Sequence, residues 1–214
     1  MAKSKNQTDL KFLYWVELLG TTVFAISGAL AVRKMNVDWL RAAFTGFVTA
    51  IGGGTLRDVL LNAYPLAWIN DGNILWAVLV GLVLTFAFYP TLEKLSKTLV
   101  LFDTIGIGLF TVLGTEKALT LGVSPFIAII MGMFSAIMGG VIRDTLTNRT
   151  PVLFRKEIYA SPCLSGALLF VVLSYTSVDR DVSALLGILL IVALRLLAVR
   201  FEWTLPSFDR SGAE

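Results

Sequence analysis

The sequence contains no histidine and a single cysteine, Cys163, in 214 residues. Without histidine it lacks the commonest metal ligand and the one side chain that ordinarily titrates near neutrality. With one cysteine it has no internal disulfide, no thiolate metal cluster and no redox pair. Charge is scarce as well: Asp, Glu, Lys and Arg make up 15% of the chain, against about a quarter in an average soluble domain. The net charge of +3 is small, and the positive residues lie in short loops rather than along one face, so no nucleic-acid partner is expected. There is no nucleophile–base motif and no phosphate-binding loop, which argues against an enzyme and leaves no cofactor to predict.

What is present is hydrocarbon. Hydrophobic residues form 56% of the chain and the mean hydropathy is +0.78. Several runs approach or exceed the ~18 apolar residues that mark a transmembrane helix. Spans are expected near 12–32, 39–61, 74–92, 99–119, 124–147, 158–176 and 182–200, separated by turn signals such as Asn70-Asp71-Gly72-Asn73 and Asp179-Arg180-Asp181. The first apolar run lacks a small-residue cleavage pattern and reads as a retained helix. The expected class is an all-α integral membrane protein. An odd number of spans puts the termini on opposite sides. An outside N-terminus would put Arg33, Lys34, Arg41, Lys94, Lys97, Arg143, Arg149, Arg155, Lys156, Arg200 and Arg210 on the cytoplasmic side and Lys3, Lys5, Lys11, Arg57, Lys117 and Arg180 on the other; eleven against six favours an outside N-terminus and a cytoplasmic C-terminus.

The chain repeats itself. Shifted by 86 residues, positions 17–68 align with 103–154 without a gap. Gly20, Phe24 and Gly28 meet Gly106, Phe110 and Gly114; Gly46 meets Gly132; Ala50-Ile51 meets Ala136-Ile137. Gly53-Gly54 meets Gly139-Gly140, Arg57-Asp58 meets Arg143-Asp144, and Asn62 and Pro65 meet Asn148 and Pro151. Three spans per copy make the second copy start on the opposite side from the first, so seven helices read as an inverted three-plus-three repeat plus one. The expected divisions are a polar leader (1–11), repeat one (12–98), repeat two (99–180), a seventh span (181–200) and a tail (201–214). Inverted repeats commonly place a transport site near the midplane, between the copies.

Two stretches carry the chemistry, AIGGGTLRD at 50–58 and AIMGGVIRD at 136–144. Glycine costs about 1 kcal/mol against alanine within a helix. Gly52, Gly53 and Gly54, and Gly139 and Gly140 beside Met138, therefore favour a kink or an unwound turn. Unwound backbone at membrane depth lines a pathway and frees carbonyls for a monovalent cation. The alternative is close helix packing, with Gly46 and Gly53 forming one stripe and Gly132 and Gly139 the other. Thr49 and Ser135, one turn earlier, offer hydroxyl ligands or bond their own backbone. Arg57, Asp58, Arg143 and Asp144 read either as charged rings at the mouths of a pathway or as structural clamps. Glu17 and Asp103, symmetry mates, suit the first turns of their helices or pair with the arginine of the opposite repeat. Adjacent Arg and Asp point about 100° apart on a helix and do not simply face each other. Arg195 is expected to snorkel.

These motifs, together with Phe24-Ala25-Ile26-Ser27-Gly28-Ala29, resemble the prokaryotic branch of the trimeric intracellular cation (TRIC) channel family. They look in particular like its bacterial two-copy domain, some of whose members are described as glycine transporters. The resemblance covers roughly residues 10–200. It implies a homotrimer with one pore per protomer, between kinked second and fifth helices, passing monovalent cations, chiefly potassium, with sodium. Gly52–Gly54 would form one kink and Met138–Gly140 the other, Met138 replacing a glycine. Animal members carry a Lys-Glu-Val tripeptide on the fourth helix for phosphoinositides. Here that helix reads LFDTIGIGLF, and Lys156-Glu157-Ile158 falls after the fifth span, so that role is not carried over. Three readings remain: a potassium-permeable channel, a transporter of a small zwitterion or anion such as glycine, and a membrane scaffold. The arginines discriminate among them, because unpaired arginines repel cations and neutralised ones do not.

Overall fold

The computed structural model describes residues 5–32, 35, 38–94, 98–155 and 158–204. Among these the elements are helical: α1 (Lys5–Ala31), α2 (Trp39–Leu60), α3 (Ala67–Asn70), α4 (Gly72–Ala87), α5 (Tyr89–Lys94), α6 (Thr98–Thr120), α7 (Pro125–Leu146), a 3-10 turn (Val152–Phe154), α8 (Ala160–Ser174) and α9 (Arg180–Arg200). Four segments are long and apolar enough to cross a bilayer: Lys11–Ala31, Leu99–Thr120, Pro125–Leu146 and Arg180–Arg200. Gly72–Ala87 and Ala160–Ser174 are apolar but shorter. The 22 residues of α2 are long enough, but its threonines, its glycines and Arg57-Asp58 dilute the apolar character.

The sequence places the helix boundaries for recognisable reasons. Asp38 accepts the Arg41 N–H at 2.8 Å, Asp71 accepts the Asn73 N–H at 2.9 Å, and Asp179 accepts the Asp181 N–H at 3.0 Å, satisfying donors that a helix start leaves open. Pro125 opens α7, where its missing N–H costs nothing. At the ends of α2 and α7, Asn62 and Asn148 adopt φ of 52° and 51°, the left-handed turn that asparagine tolerates best after glycine. Behind them the Ala63 N–H reaches the Asp58 carbonyl and the Arg149 N–H reaches the Asp144 carbonyl, both at 2.8 Å. The matched asparagines of the repeat thus mark matched helix stops.

Two boundaries differ from the sequence reading. The third span is not one helix: it breaks at Phe88 into α4 and α5, because Pro90 lacks the N–H that would continue the ladder. The polar leader is partly helical, since α1 begins at Lys5, while residues 1–4 lie outside the described residues.

α1 packs on α2 and α4, α6 on α7 and α9, α2 on α7, and α8 on α9. The centre is a set of reciprocal contacts. Phe24 lies over Gly106 while Phe110 lies against Gly20, and the two rings stack with centroids 5.0 Å apart. A Cβ on Gly28 would come within 2.7 Å of the Gly46 Cα, and one on Gly114 within 3.0 Å of the Gly132 Cα. Between α2 and α7, a Cβ on Gly53 would meet the Ser135 carbonyl oxygen at 2.0 Å, and one on Gly139 the Thr49 carbonyl oxygen at 2.8 Å. Each contact is the other with the copies exchanged. The expected stripes are divided between partners: Gly46 faces Ala25 of α1, whereas Gly53 faces α7. Apolar side chains such as Leu79, Val80 and Val83 of α4, and Leu185 and Leu189 of α9, are left exposed on the outside, where lipid is the matching solvent.

The crossing separates the three glycines of α2 by environment. Gly54 has only the Arg57 Nη2 within 4 Å of its Cβ position, at 3.7 Å, and Gly52 meets the mobile end of Ile142. Gly53→Ala is therefore expected to lower the unfolding temperature in detergent sharply. Gly54→Ala is expected to leave it unchanged or raise it, gaining up to about 1 kcal/mol of helix propensity.

Candidate functional site

The glycine segments do not unwind. α2 runs as continuous helix through Gly52, Gly53 and Gly54, and α7 through Met138, Gly139 and Gly140. Their carbonyls remain inside helical turns, so the backbone cation site expected at Gly52–Gly54 and Met138–Gly140 has no freed oxygens. Backbone approach between helices is what these glycines serve. Thr49 turns its hydroxyl to the Thr45 carbonyl at 2.6 Å, the local alternative foreseen for it. Ser135 is also buried at the crossing, and its hydroxyl has no hydrogen-bond partner among the described residues.

One turn beyond each glycine cluster lies a buried ion network. Arg57, Asp58, Arg143 and Asp144 are at most 2% exposed. Contrary to the sequence reading, the adjacent residues do pair, because a guanidinium on its long stem folds back to its neighbour. Arg57 donates to Asp58 Oδ1 from Nε at 2.9 Å and from Nη2 at 2.8 Å. Arg143 Nε donates to Asp144 Oδ1 at 2.8 Å. The second carboxylate oxygen of each aspartate holds the chain after the helix: Asp58 Oδ2 accepts the Ala67 N–H and Asp144 Oδ2 the Val152 N–H, both at 3.1 Å. Each pair ties a helix end to the turn that follows it.

The third members of the two networks differ. Arg143 Nη1 donates to Asp103 Oδ1 at 2.6 Å and to Ser27 Oγ at 2.7 Å. Asp103 thus meets the arginine of its own repeat rather than the opposite one, since α6 and α7 are sequential neighbours. Ser27 makes the link across the repeats. At the other end Lys117 Nζ reaches Asp58 Oδ1 at 2.8 Å, again from the opposite repeat. Glu17 is half-buried and within electrostatic reach of Arg57 and Lys117, yet makes no ion pair or hydrogen bond among the described residues. The two ends are similar in sequence and unequal in bonding.

Several partners were missed from sequence. Ser27 and Lys117 have nothing at the matched repeat positions, Leu113 and Ala31, so the repeat gave no signal for them. Arg195 does not snorkel. It is 2% exposed, donates to the Ile158 carbonyl at 2.9 Å and lies over the Tyr159 ring, with Cζ 5.1 Å from the centroid. Arg180 forms a two-pronged pair with Glu116, fixing the start of α9 to the end of α6. Of the Lys156-Glu157-Ile158 stretch, the first two residues lie outside the described residues.

Breaking a buried ion pair by removing one partner destabilises a protein by about 3–5 kcal/mol, whereas neutralising a carboxylate that bonds no partner leaves no counter-ion stranded. Asp103→Asn should therefore lower stability by about 3–5 kcal/mol. Glu17→Gln should change it by less than about 1 kcal/mol, although the two acids occupy matched positions. Denaturant titration of the purified variants in one detergent measures both.

Comparison with known proteins places this geometry. A family model described as "Glycine transporter" matches twice, at residues 14–90 and 100–175, the two halves of the repeat. The chain is 35% identical over 204 residues to the UPF0126 inner membrane protein YadS of Escherichia coli K12, covering 94% of this chain and 99% of that protein. It is 30% identical to the UPF0126 membrane protein YvgT of Bacillus subtilis, covering 90% of this chain and 94% of that one. Among solved structures, a TRIC trimeric intracellular cation channel orthologue from Rhodobacter sphaeroides aligns with a TM-score of 0.84 at 32% identity, covering 89% of this chain and 98% of the other. A structure described as the basis for conductance through TRIC cation channels aligns with a TM-score of 0.80 at 33% identity, covering 92% and 98%. The chain is an integral membrane protein of the bacterial UPF0126 (glycine transporter) family, built on the fold of the TRIC channels.

Proposed function

We propose that the protein is a channel for monovalent cations, potassium and sodium among them, whose path runs between α2 and α7. The observation that carries this reading is the neutralisation of both arginines. Arg57 is bonded to Asp58, and Arg143 to both Asp144 and Asp103. An unpaired arginine at each end of a pathway would select anions or the carboxylate of a zwitterion. Arginines locked into carboxylates present little positive field: the Arg143 end carries one carboxylate in excess, and at the Arg57 end, where Lys117 shares Asp58, Glu17 supplies the second carboxylate. The structural neighbours described as TRIC cation channels support the same reading.

The rest of the arrangement follows from the repeat. We read seven spans as two inverted units of three, α1–α5 and α6–α8, with α9 added outside. The reciprocal contacts of Gly53 and Gly139 then lie about a two-fold axis in the membrane plane. Each protomer carries its own path within a homotrimer. The N-terminus is outside and the C-terminus cytoplasmic, in accord with the loop cations. Because α2 and α7 touch backbone to backbone at Gly53 and Gly139, conduction requires the two helices to part there. Thr49 and Ser135 then supply hydroxyl oxygens at the opened crossing.

Transport of glycine is the second reading, favoured by the description of the matching family model. Purified protein in liposomes separates the two. Potassium flux driven by a membrane potential, without saturable uptake of labelled glycine, is the expected result. Saturable glycine uptake without potassium conductance would replace the channel by a carrier. A stable assembly with neither activity would make the protein a scaffold.

A further inference from the structure

The two ends of the α2–α7 crossing are filled differently, and one side chain accounts for most of the difference. Tyr159 precedes α8 and is 3% exposed. Its ring lies beneath Arg195, whose guanidinium also holds the preceding carbonyl, that of Ile158. The ring is thereby pinned on its far side by α9, the helix outside the repeat. Its hydroxyl points to the α7 glycines. A Cβ built on Gly140 would lie 3.0 Å from the Tyr159 hydroxyl, 3.4 Å from Asp103 Oδ1 and 3.7 Å from Arg143 Nη2. The hydroxyl is buried against the Asp103 carboxylate yet makes no hydrogen bond of normal geometry. A buried hydroxyl without a partner is costly and rare. Its position is set by the ring, clamped under Arg195, with the Asp103 carboxylate beside the hydroxyl.

At the opposite end, among the described residues, no side chain covers the matching glycine in this way. Asn73, 86 positions before Tyr159, donates to the Tyr14 hydroxyl at 2.8 Å on the exposed surface. Gly54, matched to Gly140, has only Arg57 Nη2 within 4 Å of its Cβ position. Glu17, matched to Asp103, is half-buried and without an ion pair among the described residues. The Asp103 end is therefore filled by Tyr159, Asp103, Arg143 and Ser27, whereas at the other end, where Arg57 and Asp58 are also buried, no such side chain lies over Gly54.

We propose that Tyr159 is the gate of the Asp103 end: a solute passing between α2 and α7 leaves at that end only when the Tyr159 side chain moves off Gly140 and Asp103. Arg195 acts as its positioning residue, fixing the ring through its face, so α9 controls a pathway that it does not line. This deepens the permeation reading given above and rests on it for the identity of the solute. The gate itself concerns access and can be tested without knowing what passes.

The native cysteine reports on access. Cys163 follows Tyr159 by one turn of α8, is fully buried, and lies near Thr111, Asp103 and Arg195. Proteoliposomes of wild type, Tyr159→Ala, Tyr159→Phe and Arg195→Met are exposed to a charged, membrane-impermeant thiol reagent from one side at a time. Labelling of Cys163 is read by mass spectrometry, and unfolding temperatures are recorded in parallel. In wild type and Tyr159→Phe, which keeps the ring, Cys163 is expected to stay protected. In Tyr159→Ala it is expected to label about tenfold faster or more, from the Asp103 side alone, as the population open at that end rises by that factor. Arg195→Met should act in the same direction with a smaller effect. If Tyr159→Ala keeps its unfolding temperature and Cys163 remains protected from both sides, the proposal is overturned. Equal labelling from both sides with a lowered unfolding temperature also overturns it, since that is general loosening. One-sided labelling in a protein that conducts no potassium would uphold the gate and remove the cation reading.

Discussion

The contact on which the structure depends is the crossing of two helix backbones without side chains between them. At Gly53 and Gly139 the α2 and α7 chains approach until a single methyl group on Gly53 would overlap the Ser135 carbonyl. Water drives no hydrophobic association inside a bilayer, so helices there are held by van der Waals contact and buried polar bonds. Glycine supplies the first by letting two rods come close along their length. That proximity brings Ser27 of α1 to Arg143 and Lys117 of α6 to Asp58, while Asp103 reaches Arg143 from the neighbouring α6, and it creates the buried environment in which those ions must be paired.

The ion networks then fix what the glycines bring together. Each aspartate bonds its neighbouring arginine with one oxygen and the following loop with the other, so each is both a counter-ion and a helix stop. Ser27 and Lys117 join one repeat to the other at opposite ends of the crossing. A path between such helices has a closed waist of backbone and two polar ends. In the proposed channel α2 and α7 part at this contact, and the polar ends select which charge approaches it.

Much of this was legible in the sequence, because the repeat places its rarest residue types in register. Matched Gly, Arg and Asp picked out the residues of the crossing and of the ion networks, with close glycine packing as one of two readings. The membrane class followed from hydropathy alone. What could not be read was every feature that breaks the symmetry. Ser27, Lys117, Tyr159 and Arg195 have no like residue 86 positions away, and their partners are brought to them only by packing. Arg195 looked like a residue for the interface because its burial depends on Ile158 and Tyr159, in the segment that precedes α8. The glycines suggested an unwound turn because propensity counts their cost within one helix and is blind to the neighbour that repays it. The pairing of Arg57 with Asp58 was missed for a different reason: the angle between adjacent Cβ atoms says little about where a long guanidinium ends.

The proposed selectivity rests on charge: arginines already neutralised by carboxylates do not repel cations from the proposed path. The most direct measurement is the reversal potential of the purified protein in a planar bilayer under a potassium chloride gradient. A cation channel gives a current that reverses near the potassium equilibrium potential, and this is the expected result. A reversal near the chloride potential, or an electrically silent bilayer containing folded protein that takes up glycine, would contradict it.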